Sequence, residues 1–239
     1  ADGWVYTFEG LPVNYQGDEI TYTVEETSVP EGYEESYDQS TLTITNTHEI
    51  ATKDVTVTKV WEDDDNRDGV RPVSVDVVLL ADGVRVASAT LDADHDWSAT
   101  FAGLPVYSAG NVIVYSVEEV GVDNYTVVVD NSGAYGFTVT NSHVPAVTDV
   151  SVVKVWDDAD NQDGVRPDSV TVQLLADGVE VASVVLSADN EWSYTFTGLA
   201  VNDAGKAIVY TVNETAVPGY AFVITSDDDG NWTVTNSHV

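Results

Sequence analysis

Three polar residue types recur on strand faces that are otherwise apolar, and together they could form a covalent bond. In VTVTKVW, the alternation of a β-strand places Lys59 on a face made of valines and a tryptophan. In IVYSVEE and FTVTNSH, the same alternation turns Glu119 and Asn141 towards apolar neighbours. The pattern returns later in the chain at Lys154, Glu214 and Asn236. Each set predicts a lysine, a glutamate and an asparagine inside one core.

Burial changes what these groups can do. Desolvation lowers the pKa of a lysine and raises that of a glutamate, which favours a neutral amine beside a carboxylic acid. A neutral amine is a nucleophile. The acid can polarise the asparagine carbonyl and move the proton, so that the amine attacks, ammonia leaves and a Lys–Asn amide forms. In this scheme Glu119 and Glu214 promote the reaction, and the bonds join Lys59 to Asn141 and Lys154 to Asn236.

A purely structural interpretation is also open at this point. A buried Lys–Glu pair with a hydrogen-bonding asparagine would show the same residues and the same alternation. The position of the residues favours the bond, because Lys59 lies in the first predicted strand of its repeat and Asn141 in the last. A cross-link between them would tie the two ends of the domain together and contribute on the order of 4–5 kcal/mol.

An internal repeat organises the chain. The segment at 57–88 returns at 152–183, and the same offset of 95 residues relates the lysines, glutamates and asparagines above. The first residues match only the second half of this unit, so the predicted domains are 1–50, 51–146 and 147–239, the first of them incomplete. Glu26 and Asn46 fill the glutamate and asparagine positions there, and their lysine partner would precede Ala1.

The elements that must position these residues are strands. Each full unit shows about seven short strands separated by turn signals, and no segment of useful length has helical periodicity. LLADGVRV is the clearest hairpin, with Asp82 and Gly83 suited to a tight turn. The pattern predicts an all-β chain of tandem antiparallel β-sandwiches.

Composition excludes several classes of partner. The chain of 239 residues has 41 acidic and 8 basic residues, a net charge of −33. Nucleic acid and anionic membrane surfaces are therefore not expected as partners. The chain has no cysteine, and it lacks any run of about 18 apolar residues that could span a membrane.

One acidic loop has some features of a calcium site. Asp64, Asn66 and Asp68 have the spacing of the first ligands of a calcium loop, but Val75 stands where a bidentate glutamate belongs. Asx-turns are the commoner reason for such a run, so no cofactor is expected and calcium is a minor alternative. Arg71 and Arg166 are expected to pin the two copies of this loop by pairing with its aspartates.

Taken together, these motifs resemble the B-type repeat of collagen-adhesin-like surface proteins of Gram-positive bacteria, the Cna-B domain. The resemblance is carried by KVWEDDDNRDGVRP and KVWDDADNQDGVRP, then by LLADG, W-x-x-x-F-x-GL, Y-x-V-x-E and the terminal TN, and it covers nearly the whole chain. It implies an Ig-like sandwich of the reverse-type topology. It also implies spontaneous Lys–Asn isopeptide bonds helped by a buried acid, at the positions named above.

Three functions follow with decreasing support. The resemblance implies a stalk on the cell-wall-anchored, extracellular surface of a Gram-positive bacterium, with neighbouring repeats as partners and a host matrix protein bound through a tip domain outside this chain. The alternative is a matrix- or glycan-binding adhesive module, which should expose aromatic or basic residues that differ between repeats. An enzyme acting on external substrates has the least support, because the one reaction expected occurs once within the chain.

Overall fold

The computed structural model describes residues 3–133 and 135–238. Strands dominate, and the helical segments found in those residues are two short 3-10 turns, Ala93–His95 and Ala188–Asn190. The predicted all-β class is therefore confirmed. No helix in the described part of the chain is long and apolar enough to cross a bilayer. The chain divides into two compact units, Ala1–Lys53 with Gly103–Ile113 and Asp54–Ala102 with Val114–Val239.

The leading segment contains two antiparallel hairpins. The first pairs β1 with β2 and the second pairs β3 with β4. The strands are β1 (Asn14–Tyr15), β2 (Asp18–Glu19), β3 (Tyr33–Asp38) and β4 (Thr43–His48). Large apolar side chains of this segment are exposed, among them Trp4, Tyr6 and Phe8.

The second repeat forms two main sheets. One sheet has the order β12-β13-β5-β8 and the other β11-β6-β7, with a short β9–β10 hairpin besides. The strands are β5 (Thr52–Glu62), β6 (Ser74–Ala81), β7 (Val84–Asp92), β8 (Ser98–Pro105), β9 (Tyr107–Ser108), β10 (Asn111–Val112), β11 (Tyr115–Glu119), β12 (Thr126–Gly133) and β13 (Gly136–Ser142). Apart from the short hairpin, these are the seven strands expected.

The third repeat has the same topology. Its sheets have the orders β17-β14-β22-β21 and β16-β15-β20, with β18 paired to β19. The strands are β14 (Val147–Asp157), β15 (Ser169–Ala176), β16 (Val179–Ser187), β17 (Ser193–Ala200), β18 (Asn202–Asp203), β19 (Lys206–Ala207), β20 (Tyr210–Glu214), β21 (Ala221–Ser226) and β22 (Trp232–Ser237).

The pairing of the first and last strands is the feature that matters most for the site. β13 runs parallel to β5, with Val139 opposite Lys59 and Asn141 opposite Trp61. The β9–β10, β6–β11, β12–β13 and β6–β7 pairs of this repeat are antiparallel. The third repeat repeats the parallel pair between β14 and β22. The two ends of each domain are thus neighbours in one sheet.

The core of each repeat is built from the alternating apolar residues. In the third repeat, nine buried side chains from both main sheets form one cluster that includes Val152, Leu174 and Val234. Each fully buried valine or leucine contributes about 1.5–3 kcal/mol relative to an exposed one. The hairpin predicted at Asp82 and Gly83 is present, and both residues have positive φ, as a type I′ turn requires.

A buried ion pair closes the acidic loop, as the sequence predicts for Arg71. Its guanidinium donates two hydrogen bonds to Asp63, with Nε–Oδ2 2.9 Å and Nη2–Oδ1 2.6 Å. Tyr125 donates its hydroxyl to the same carboxylate at 2.8 Å. Together these bonds lower the pKa of Asp63 to about 2, with the Arg71 hydrogen bonds as the main cause. The third repeat builds the same network from Arg166, Asp158 and Tyr220.

Replacing Arg71 should therefore destabilise the second repeat. Arg71→Ala leaves the buried Asp63 carboxylate without its counter-ion, and we expect a loss of about 3 kcal/mol in the free energy of unfolding. Urea denaturation followed by tryptophan fluorescence measures this. The control is Arg85→Ala on β7, where the arginine is exposed. Equal stabilities for the two variants would show that the ion pair does not hold the loop.

Candidate cross-linking sites

Lys59 is buried because strand alternation leaves it no other direction. It lies on the same side of β5 as Val55 and Val57, both fully buried, and only 4% of the residue is exposed. Its Nζ donates to the carbonyl oxygens of Val60 at 3.0 Å and Val139 at 3.4 Å. The amine therefore sits against the edge of the last strand of its own repeat.

A single glutamate connects this amine to the asparagine amide. Glu119, at the end of β11 in the opposite sheet, places Oε2 3.6 Å from Lys59 Nζ. Its other oxygen, Oε1, accepts a hydrogen bond from Asn141 Nδ2 at 2.6 Å. The side chains of Lys59 and Glu119 are completely buried, and Asn141 has no exposed surface. The three predicted residues are thus brought together, with the carboxylate between the two nitrogens.

Burial sets the chemical state of the amine. Desolvation lowers the pKa of Lys59 from 10.5 to about 8, although the charge of Glu119 acts in the opposite direction. The indole of Trp61 packs against the amine, with Nζ 4.0 Å from the ring centroid. The neutral, nucleophilic form of this lysine therefore becomes populated at lower pH than that of an exposed lysine.

The third repeat brings together the equivalent residues with one difference. Lys154 Nζ lies 3.7 Å from Glu214 Oε1, both side chains are completely buried, and desolvation lowers the pKa of Lys154 to about 8. Burial also raises the pKa of Glu214, while the nearby Asn236 amide lowers it less. Within the described residues, the Asn236 amide makes no well-aligned hydrogen bond.

The leading segment retains the glutamate and asparagine. Asn46 Nδ2 donates to Glu26 Oε2 at 2.8 Å, the contact that Asn141 makes with Glu119. Both residues are half-buried. The first lysine in the chain is Lys53, after both of them, so this pair has no lysine preceding it in the sequence.

The residues proposed as calcium ligands have separate protein partners. Asp64 pairs with Arg67 at 2.8 Å, Asn66 Oδ1 accepts the backbone N–H of Arg71, and Asp68 accepts the backbone N–H of Ala146. No group of three potential metal-binding side chains occurs among the described residues. Calcium binding stays an untested prediction at this loop.

Two components of the site were not predicted from the sequence. One is the contact of the Trp61 indole with the amine, since strand alternation places Trp61 on the face of Lys59 without predicting that contact. The other is Tyr125, which closes the Asp63 pair. Both recur in the third repeat, as Trp156 and Tyr220, so comparison of the repeats could have identified them.

The repeats of this chain match a known protein family. The family described as Cna protein B-type domain matches residues 1–47, 55–142 and 150–237. A collagen adhesin from Staphylococcus aureus is 40% identical over 237 residues, which is 98% of this chain but 19% of the adhesin. The repeat boundaries predicted near residues 50 and 146 fall between the matched segments.

A solved structure of two B repeat units of the collagen binding protein of S. aureus also matches. It superimposes with a TM-score of 0.74 at 38% identity, covering 99% of this chain and 62% of that structure. The chain therefore spans only part of each of these relatives. The segments that match the family cover nearly all residues of this chain. This chain belongs to the family of Cna protein B-type domains.

Proposed function

We propose that these repeats are stalk modules of a bacterial surface adhesin or pilus-like protein, each complete repeat closed by a Lys–Asn isopeptide bond. The bonds join Lys59 to Asn141 and Lys154 to Asn236, promoted by Glu119 and Glu214. The observation that carries the proposal is the position of the Glu119 carboxylate, with one oxygen 3.6 Å from the amine and the other 2.6 Å from the amide nitrogen.

This geometry suits a proton shuttle. The neutral Nζ of Lys59 attacks Cγ of Asn141, and its proton passes to Oε2 of Glu119. Glu119 returns a proton through Oε1 to Nδ2, which leaves as ammonia. One C–N bond forms and one breaks, and the glutamate ends in its starting state. The reaction needs no metal, oxidant or external substrate, and it occurs once in each repeat.

The unsatisfied polar atoms favour this reaction over a static ion pair. Among the described residues, Oε2 of Glu119 and Oδ1 of Asn141 are buried without a hydrogen-bond partner. A structural salt bridge compensates its desolvation only when its remaining polar atoms are satisfied. Forming an amide removes the buried amine altogether. A reactive arrangement therefore accounts better for the unpaired atoms.

The parallel pairing of β5 with β13 gives the bond a mechanical role. Tension applied to the two ends of a repeat enters through its first and last strands. A bond from Lys59 to Asn141 passes that tension directly between them, so the strands between do not have to unfold. Loop closure would add about 4–5 kcal/mol of stability.

The proposed location is the extracellular, cell-wall-anchored surface of a Gram-positive bacterium. A relative that is 40% identical is called a collagen adhesin, and this chain corresponds to 19% of its length. We assign adhesion to a host matrix protein to a tip domain outside this chain. The alternative, that these repeats themselves hold a matrix protein or glycan, predicts that the isolated chain binds immobilised collagen.

Intact mass tests the covalent proposal. Each bond releases one ammonia, so we expect the chain to be lighter than its sequence by two losses of roughly 17 Da. Lys59→Ala and Lys154→Ala should each abolish one loss, and Glu119→Gln should abolish that of the second repeat. Lys206→Ala, an exposed lysine, is the matched control and should keep both. A full mass for the parent chain would reject the bonds.

Titration tests the state of the amines. In a chain carrying Asn141→Ala and Asn236→Ala, both lysines keep free amines, and we expect two lysine signals to titrate near pH 8 in ¹³C NMR. The pKa of Lys59 in the folded chain lies below its ordinary value of 10.5, so folding releases protons between pH 8 and 10.5. The free energy of unfolding therefore rises as the pH increases through that range.

A further Lys59→Gln substitution in that chain should remove one of the two signals and identify it. Two lysines that titrate only near 10.5 would contradict the neutral-amine mechanism. The mass test would still decide separately whether the bonds form.

A further inference from the structure

The loop that follows Asp63 also makes contacts beyond its own repeat. Asp68, near the end of that loop, accepts the backbone N–H of Ala146 through Oδ2 at 2.8 Å. Its Oδ1 accepts the side-chain amide of Asn202 at 3.2 Å. Ala146 directly precedes the first strand of the third repeat, and Asn202 begins β18 within it. One carboxylate therefore binds both the joint, at Ala146, and the following repeat, at Asn202.

We propose that Asp68, Gly69 and His143 form a receptor that holds the amino-terminal end of the following repeat in one orientation. Its partner is a repeat of the same kind, recognised by an asparagine amide and a glycine turn, together with the backbone N–H of Ala146 in the joint that precedes it. This inference rests on the proposed stalk function only in that successive repeats are stacked. It does not depend on the isopeptide bonds.

The glycines show how closely the two repeats meet. Gly205 donates its backbone N–H to the carbonyl of Arg67 at 2.9 Å. A Cβ built on Gly69 would lie 2.4 Å from the Cα of Gly205, and one on Gly205 would lie 3.0 Å from the Cα of Gly69. Both obstacles are backbone atoms, which cannot move aside as a flexible side chain can. The contact thus leaves no room for a Cβ at Gly69 and little room at Gly205, whose positive φ also favours glycine.

His143 contacts the Asp68 carboxylate from within its own repeat. Its Nε2 lies 3.0 Å from Asp68 Oδ2, and its Nδ1 lies 2.9 Å from the carbonyl oxygen of Asn124. Both partners are acceptors, so the doubly protonated ring satisfies both, and the Asp68 hydrogen bond is the main cause of the raised pKa of His143. The pKa of Asp68 is lowered in turn, chiefly by His143 and the Ala146 N–H.

The third repeat provides an internal control for this receptor. Asp163 and Gly164 stand where Asp68 and Gly69 stand, and His238 replaces His143. The Asp163 side chain is 61% exposed against 8% for Asp68, and its contact with His238 is longer, at 3.3 Å. Among the described residues, apart from Gly164 and its two chain neighbours, no heavy atom lies within 4 Å of a Cβ built on Gly164. The same residues thus occur once covered and once open.

The experiment compares Asp68→Ala with Asp163→Ala in the full chain by amide hydrogen exchange. Only the first variant removes the hydrogen bonds that a carboxylate accepts from Ala146 and Asn202. We expect exchange at the Ala146 and Gly205 amides to rise at least about tenfold there and to stay unchanged in Asp163→Ala. Core amides such as Val139 and Val234 should keep their protection in both variants, which would show that the repeats remain folded.

A second pair of variants keeps the test decisive if Asp68→Ala unfolds its repeat. Gly69 and Gly164 have the same positive φ of +69°, so alanine is equally strained at both. Only Gly69→Ala should loosen the joint, seen as independent tumbling of the two repeats in ¹⁵N relaxation. Equal amide exchange in the two aspartate variants, with equal tumbling in the two glycine variants, would contradict the proposal. Intact mass, measured on the same samples, reports the isopeptide bonds separately.

Discussion

A lysine amine enclosed in an apolar core is the constraint on which each complete repeat depends. Removing an ammonium group from water costs several kcal/mol, and one carboxylate 3.6 Å away returns only part of that cost. Desolvation brings the pKa of Lys59 down to about 8, so the cost is reduced by losing the proton. That same loss makes the group reactive. The instability of the buried cation and the chemistry proposed for it have one cause.

The sheet topology suits the proposed Lys–Asn bond, because it places the first and last strands of a repeat side by side. In an entirely antiparallel sandwich, the first and last strands need not be neighbours, and a bond between them would need other residues. Here β5 and β13 are parallel partners, and Glu119 reaches them from the opposite sheet. The proposed cross-link at this place would remove the buried amine and join the first and last strands of the repeat.

One loop serves two purposes through two aspartates only five positions apart in the sequence. Asp63 points inward, where Arg71 neutralises it and Tyr125 donates a hydrogen bond to it, and the Arg71 guanidinium lies over the Trp61 indole. Asp68 points outward to the next repeat. The loop therefore contacts both the interior of its own repeat and the repeat that follows. The chain has a net charge of −33. Because Asp63 is paired with Arg71 and Asp68 with His143, the two carboxylates repel one another less at the joint.

The sequence by itself determined the strands, the repeat and the inward direction of Lys59, Glu119 and Asn141, because alternation and apolar neighbours are local properties. It did not determine which carboxylate oxygen meets which nitrogen, or that Trp61 lies against the amine. Those contacts depend on how two sheets face each other. Asp68 and Asp163 make the same point, since they occupy equivalent positions and differ only in what covers them. Such burial depends on residues distant in the sequence, and only the tertiary structure brings them together.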